Sequence, residues 1–180
     1  MSERRTQIIE AAIPLVLKEG VGASTAKIAK AAGVSNGTLF NVFASKQALI
    51  DAIFLAGKTG MFEALSAPEG APFDRARLWR FWRDYIGWAR THPLHRRISH
   101  RLREAGLVSE AALAEGDALA APHVAAAAEA LAQGRLRGPN VEHVAALVFF
   151  HIDLVLDQGL GPEDEALSFR MLCDSLGLSE

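Results

Sequence analysis

The sequence has only one cysteine, Cys173, in 180 residues. A lone thiol excludes an intrachain disulfide and any metal site built from several cysteines. The longest apolar stretch, residues 144–156, is interrupted by His151 and Asp153 and is shorter than the ~20 residues that a bilayer-spanning helix needs. The first residues, MSERRTQIIEAA, lack the continuous apolar segment of a signal peptide. We therefore expect a cytoplasmic protein with no membrane partner.

Arrangements of residues that carry out catalysis are also missing. The sequence contains no nucleophile elbow, no phosphate-cradling glycine loop and no paired carboxylates in a recognisable frame. His143 and His151 are eight residues apart, about two helical turns, which is too far for both to bind one ion. We therefore predict no enzymatic activity, no cofactor and no metal site.

Strand signals are nearly absent, and apolar residues recur at helical spacing, which predicts an all-α fold. We expect a kink or local loosening at Pro14 and a bend at Pro122, because proline removes a backbone donor and clashes with the preceding turn. Residues 66–72 contain two prolines and a glycine, so they are predicted to form a loop. The predicted helices cover residues 3–18, 25–32, 35–43, 45–65, 74–91, 93–104, 109–133, 140–158 and 163–176.

Residues 24–43, STAKIAKAAGVSNGTLFNVF, carry the clearest motif. Two short helices joined by a turn at Gly33 must cross steeply, which is the geometry of a helix-turn-helix. Ile28 and Leu39 supply the apolar sides of these two helices. The free side of the second helix carries short polar side chains suited to phosphates and base edges, namely Ser35, Asn36, Thr38 and Asn41.

Charge is distributed unevenly along the chain. Residues 1–60 contain seven Lys and Arg against four Asp and Glu, so this segment is +3 and the remainder is −5. A basic amino-terminal segment on an acidic remainder is typical of a protein whose one end meets a polyanion.

The segment IAKAAGVSNGTLFNVFASKQAL resembles the signature of the TetR family, IAxxAGVSxGTLYxxFxSKxxL. The upstream IIEAA and Gly20 are similar to the first helix of that family. The resemblance covers residues 4–49. It implies an amino-terminal three-helix DNA-binding domain over residues 1–48 and a helical ligand-binding and dimerisation domain over residues 49–180.

The same resemblance implies DNA contacts residue by residue. Thr25 and Lys27 would meet phosphates from the start of the second helix, and Lys46 would clamp a phosphate at the start of the fourth. Phe40 departs from the family, whose members often have a tyrosine there with its hydroxyl on a phosphate. The recognition helix has no Arg or Lys, so a bidentate arginine–guanine contact is unavailable from it, and its asparagines favour adenine. The predicted DNA-contacting residues are Thr25, Lys27, Ser35, Asn36, Thr38, Phe40, Asn41 and Lys46.

One later helix is crowded with aromatic residues, Trp79, Phe81, Trp82, Tyr85 and Trp88. Most of them are expected in the core, although aromatic walls with a few polar groups also form small-molecule pockets. The predicted effector site consists of Trp82, Tyr85 and Phe149, with His100 or Arg101 as a polar contact. Side chains could equally fill this space, which would leave the protein constitutive or regulated by a partner.

The last two helices suggest a homodimer. Residues 141–156 are apolar nearly all round, and Leu167, Met171, Leu172 and Leu176 form a second stripe. Two such helices per chain would make a four-helix interface around a two-fold axis. Together these features predict a ligand-responsive repressor that binds a palindromic operator as a homodimer. The rival hypothesis is a helical small-molecule-binding protein or enzyme whose helix-turn-helix is vestigial.

Overall fold

Helices form the regular structure of residues 2–65 and 72–178, the part of the chain that the computed structural model describes. The all-α prediction is confirmed, and every predicted helix ends within one residue of its predicted limit. The predicted loop over residues 66–72 lies, up to residue 71, outside the described residues. The helices are α1 (Glu3–Glu19), α2 (Thr25–Ala31), α3 (Asn36–Val42), α4 (Lys46–Ala64), α5 (Arg75–Thr91), α6 (Pro93–Glu104), α7 (Glu110–Ala132), α8 (Val141–Asp157) and α9 (Pro162–Leu176), with a short 3₁₀ turn at Gly20–Gly22.

Local capping explains where several helices begin. The Ser35 hydroxyl accepts a hydrogen bond from the Thr38 amide at the start of α3, and the Asn140 side chain accepts one from the His143 amide at the start of α8. Such caps satisfy backbone donors that have no partner inside the helix. Pro14 and Pro122 lie within α1 and α7, and both helices continue past them.

The chain divides into two compact units, and the first combines Met1–Gly60 with His92–Leu119. Its core is built from apolar side chains of α1 to α4, α6 and the start of α7. The fully buried members with large side chains include Ile8, Ile13, Ile28, Leu39, Leu49, Ile53, Phe54 and Ile98. The helix-turn-helix therefore rests on a core to which residues beyond position 92 also contribute.

Helix α6 is joined to α1 by polar contacts within this first unit. His95 Nε2 lies 2.9 Å from Glu10 Oε1, and the Arg101 guanidinium donates to the Leu17 carbonyl at 2.8 Å. Helices α4 and α6 also approach closely at Gly57, where a β-carbon would overlap the Ser99 hydroxyl oxygen. Only a residue without a side chain fits this crossing as it stands.

The second unit combines Met61–Thr91 with Ala120–Glu180. Trp82 and Tyr85 of α5 are 0% and 2% exposed, so most of the aromatic cluster belongs to the core, as expected. The Trp82 ring packs edge-on against Phe169 of α9, with centroids 5.5 Å apart. Cys173 is buried in the same core, and burial raises the pKa of its thiol, which suits a packing role.

Helices α8 and α9 share a buried polar contact in this second unit. His151 Nδ1 lies 3.0 Å from the Ser168 hydroxyl oxygen, and both residues are buried. Burial lowers the pKa of His151, so the ring is neutral at pH 7 and one of its nitrogens can accept.

Among the described residues, no single helix is long and apolar enough to cross a membrane. Within residues 2–65 and 72–178, α3 and α4 taken together reach that length and composition, and they are bent by 65° where they meet. Leu39 of α3 and Leu49 and Ile53 of α4 are 0% exposed inside the first unit.

Candidate nucleic-acid interface and effector cavity

The turn between α2 and α3 is held by backbone hydrogen bonds. The Val34 amide donates to the Ala29 carbonyl at 2.9 Å, and the Gly33 amide donates to the Lys30 carbonyl at 3.1 Å. Gly33 has φ +66°, a conformation in which a β-carbon is disfavoured. These bonds reverse the chain over a few residues, so that α3 packs across α2 as the sequence motif predicts.

Helix α3 has a buried side and a polar, exposed side. Leu39 is completely buried, whereas Asn36 and Asn41 are exposed. Their amides carry both donors and acceptors, so each can bond an adenine edge or a phosphate. The exposed side of α3 has the chemistry that a base-reading helix requires.

Ser35 and Thr38 are engaged with each other at the start of this helix. Their hydroxyl oxygens are 2.8 Å apart, and Ser35 Oγ also accepts from the Thr38 amide at 3.0 Å. The Ser35 hydroxyl therefore organises α3 as well as lying on its exposed end. Each hydroxyl group keeps further lone-pair capacity for a partner outside the protein.

Phe40 is 42% exposed on α3. Phenylalanine has no polar side-chain atom, so Phe40 can offer no side-chain hydrogen bond to a phosphate or a base. The exposed ring edge is available for apolar contact, for example with a thymine methyl group.

Lys27 and Lys46 are the cations predicted from the sequence to bind phosphates. The Lys27 ammonium lies 3.0 Å from a Glu19 carboxylate oxygen, and the lysine side chain is 61% exposed. An exposed pair of this kind contributes little stability, so Lys27 can exchange the carboxylate for a phosphate at small cost. Lys46 is the first residue of α4, directly after Ser45, whose hydroxyl accepts from the Ala48 amide. Thr25 is the first residue of α2 and is half-buried.

Sequence reasoning missed Gly37, an exposed glycine inside α3. A glycine within a helix costs about 1 kcal/mol relative to alanine. A β-carbon at Gly37 would meet only Ser35 Oγ, at an ordinary 3.7 Å, so internal packing does not require glycine here. Gly37 lies on the surface where DNA is predicted to bind, so we predict that the α3 backbone approaches DNA closely there. Its place within the motif was the available signal.

The comparisons with known proteins agree with this geometry. Residues 8–53 match the family model for bacterial regulatory proteins of the tetR family. Residues 8–53 therefore form a DNA-binding domain of the TetR type. Such regulators are in general DNA-binding proteins without enzymatic activity, and this chain is a DNA-binding transcriptional regulator.

Solved structures of TetR-family regulators share the fold over nearly the whole chain. One from Marinobacter aquaeolei VT8 has a TM-score of 0.83 at 22% identity, covering 96% of this chain and 95% of that one. One from Rhodococcus RHA1 has a TM-score of 0.76 at 19% identity, covering 100% of both chains. One from Thermus thermophilus has a TM-score of 0.68 at 20% identity, covering 96% of this chain and 98% of that one. At these identities the likeness concerns the fold.

The second unit contains an apolar cavity of about 100 Å³. Segments from the end of α4, the start of α5, the second half of α7 and α8 form its walls, whose surface is almost wholly carbon. The lining residues are Phe62, Phe73, Arg77, Leu78, Phe81, Ala120, His123, Val124, Ala127, Val141, Val144, Ala145, Val148 and Phe149.

The residues predicted for the effector site are placed differently from one another. Phe149 lines the cavity, whereas Trp82 and Tyr85 are packed in the core of the same unit and are not among its lining residues. Tyr85 does contact Phe149, with ring centroids 5.6 Å apart. His100 and Arg101 belong to the first unit, where Arg101 bonds the Leu17 carbonyl.

Large apolar side chains remain exposed on the last two helices. Phe150 of α8 is 64% exposed, and Leu167 and Met171 of α9 are 47% and 54% exposed. Leu167 and Met171 are four residues apart and so lie on one face of α9. Contact with another protein surface would remove these side chains from water.

Proposed function

We propose that this TetR-family chain is a homodimeric, ligand-responsive repressor that binds a palindromic operator and is released from it by a small hydrophobic or aromatic effector. One observation carries the DNA-binding part: a helix-turn-helix within the matched family domain holds α3 with its apolar side buried and its amide side chains exposed. A vestigial motif would have no reason to keep this face polar. Because its target is DNA, we place the protein in the cytoplasm.

The side chains of α3 favour a particular kind of half-site. Asn36 and Asn41 can make paired hydrogen bonds to adenine, and α3 offers no arginine for guanine. We propose that A·T pairs dominate the positions that α3 reads. Thr25, Lys27 and Lys46, with the Ser35 and Thr38 hydroxyls, would fix the register on the phosphates, and Phe40 would contribute apolar contact only.

The dimer is proposed to form through α8 and α9. Burial of Phe150, Leu167 and Met171 against a second copy would remove the largest exposed apolar side chains of both helices from water. A two-fold axis would place the two α3 helices in successive major grooves, with half-sites about one helical turn apart or slightly more. The family is typically dimeric, which supports the same arrangement.

The effector is proposed to bind within residues 49–180, which leaves residues 1–48 as the DNA-binding domain in functional terms. The 100 Å³ cavity supports an effector site, with Phe149 as the predicted residue on its wall. An effector lowers operator affinity only if it binds the DNA-bound and free conformations unequally. The effector could act on the first unit through the chain itself, because two lining residues lie close to its segments. Phe62 comes two residues after Gly60, and Ala120 directly follows Leu119.

Selection of bound sequences from random DNA tests the proposal. We expect an enriched palindrome whose affinity falls steeply with salt. Lys46→Ala should weaken binding to every sequence and reduce the salt slope by about one unit for each phosphate that is no longer neutralised. Lys18→Ala removes the same charge from an exposed position at the end of α1 and serves as the control.

Asn41→Ala should change base preference at one position of each half-site while leaving the salt slope unchanged. Recovery of no enriched palindrome, with the protein folded and dimeric, would contradict the regulator proposal. It would favour the rival in which the helix-turn-helix is vestigial.

A further inference from the structure

The cavity of the second unit has the size of a single ring. An apolar cavity of ~150 Å³ can take up benzene, and the smaller volume here, about 100 Å³, leaves room for one ring at most. Val124, which is 42% exposed, is among the lining residues, so the cavity reaches the surface at α7. A small molecule could therefore enter beside α7 without unfolding the unit.

Aromatic rings form one side of this cavity. The Phe81 ring stands edge-on to both His123 and Phe149, with centroid separations of 5.6 Å and 6.2 Å. The Phe62 ring lies 5.7 Å from the His123 ring. Edge-on rings at these distances attract one another and present both faces and edges to a planar guest.

The polar side chains that line the cavity expose almost only carbon atoms to it. Arg77 is only 4% exposed, and its guanidinium donates to the Pro122 carbonyl at 3.4 Å. Burial, and then the positive charge of Arg77, lowers the pKa of His123, so its imidazole is uncharged at pH 7. Arg77 is the charged residue among those that line the cavity, and with its guanidinium bonded to Pro122 a guest would meet few polar atoms.

We propose that the effector of this regulator is an uncharged, apolar molecule of about one aromatic ring, held by Phe62, Phe81 and Phe149 and excluded when it carries a carboxylate. The inference rests on the effector part of the proposed function and specifies its ligand class. A hydroxyl buried without a partner costs about 1–3 kcal/mol, and a buried carboxylate costs more unless it is bonded. The Arg77 guanidinium, the cation of this wall, already donates to the Pro122 carbonyl. The cavity therefore favours ligands without polar groups, because its wall offers few partners for hydrogen bonds.

Titration of the full-length protein with toluene, phenol and benzoate at pH 7.5 tests this inference. We expect toluene to bind most tightly, phenol to bind about five- to 150-fold more weakly because of its unpaired hydroxyl, and benzoate not to bind measurably. Calorimetry measures the three affinities. Benzoate affinity equal to or higher than that of toluene, or phenol binding tighter than toluene, would overturn the proposed ligand class.

Two neighbouring alanines of α7 provide a matched pair of variants. Ala127 lines the cavity and is 4% exposed, whereas Ala128 is exposed to solvent. Ala127→Leu should reduce toluene affinity at least tenfold by filling the cavity, and Ala128→Leu should leave it unchanged. Val148→Phe fills the same cavity from α8, should the first variant fail to fold. Equal toluene affinity in folded cavity-filled and control variants would refute the site.

Operator binding separates this inference from the proposed function. DNA affinity is measured first without any ligand and then with saturating toluene, which we expect to weaken it several-fold. Specific DNA binding without toluene binding refutes the cavity inference and leaves the regulator intact. Toluene binding without specific DNA binding supports the ligand class and refutes the proposed repressor. Toluene binding that leaves operator affinity unchanged refutes its role as an effector.

Discussion

The crossing of α4 and α6 at Gly57 allows a sharp test of the first unit. A methyl group on Gly57 would overlap Ser99 Oγ, and it would also lie 3.3 Å from the His95 carbonyl oxygen and 3.5 Å from Ser99 Cβ. The Ser99 hydroxyl is buried without a hydrogen-bond partner among the described residues, and Ser99 is only 6% exposed. The obstacle to a methyl group is therefore chiefly one oxygen atom that stabilises nothing around it.

The magnitudes follow from opposing effects. Gly57→Ala gains about 1 kcal/mol of helix propensity and loses about 1–3 kcal/mol to overpacking, so we expect a net loss of about 0–2 kcal/mol. Ser99→Ala removes a buried hydroxyl without a partner, so it should be neutral or stabilising by about 1 kcal/mol. In the double variant the two β-carbons meet at about 3.5 Å, which is ordinary contact, whereas the His95 carbonyl oxygen at 3.3 Å still has to move slightly. We expect the double variant to be more stable than wild type by up to about 1 kcal/mol.

Urea denaturation of the four proteins at one protomer concentration measures these free energies of unfolding, because the stability of a dimer depends on concentration. The prediction is a coupling energy of about 1–3 kcal/mol between the two substitutions. Additivity within about 0.5 kcal/mol would show that the methyl group and the hydroxyl do not compete for space. The described crossing of α4 and α6 would then be wrong.

Three further predictions concern the DNA surface, the dimer and pH. Gly37→Ala should raise stability by about 0.5–1 kcal/mol and lower operator affinity at least tenfold, measured by thermal melting and DNA titration; unchanged affinity would mean that DNA does not approach the α3 backbone. Met171→Glu should give a folded monomer at micromolar concentration in sedimentation, because Met171 is 54% exposed in the single chain. The control Gln158→Glu, at the exposed end of α8, should stay dimeric. A dimeric Met171 variant would place the interface elsewhere. Burial lowers the pKa of His151, and burial followed by the Arg77 charge lowers the pKa of His123, so near the ordinary pKa of 6.5 the unfolded chain binds more protons than the folded chain. The free energy of unfolding should therefore fall as the pH drops below 6.5, and His151→Gln should flatten this dependence; a variant as pH-sensitive as wild type would show that His151 does not contribute to it.

The helix limits and the helix-turn-helix could be predicted because their signals are local. Ser35 and Asn140 cap the helices that they precede, and Gly33 adopts the positive φ that its turn requires. Such signals act within a few residues and do not depend on the rest of the fold. The exposed polar side of α3 followed from the same periodicity, because Leu39 must point inward.

Structural details that depend on residues far apart in the sequence could be predicted less well. Helical periodicity puts Trp82 and Tyr85 on an apolar face, but it does not tell which helix packs there. Phe169, which is far along the chain, covers the Trp82 ring. Likewise, Lys27 of α2 pairs with Glu19 at the end of α1. The two residues lie in different helices, so helical spacing does not predict this pair. The assignment of His100 and Arg101 to the unit of the helix-turn-helix depends on long-range interactions such as that of Arg101 with Leu17.

The membership of α6 in the first unit has a consequence for building chimaeric regulators. If the DNA-binding part of the first unit were excised as one continuous amino-terminal piece, it would lack Ile98 and Leu102. These residues are 0% and 1% exposed in the core of that unit. The hydrogen bonds of His95 and Arg101 to α1 would be absent as well. To transfer the first unit to another sensor domain in functional form, two separate stretches, residues 1–60 and 92–119, should therefore be moved together. The recipient would have to supply the chain between these two stretches. DNA specificity would then be exchanged by inserting two segments instead of joining two chains at one point.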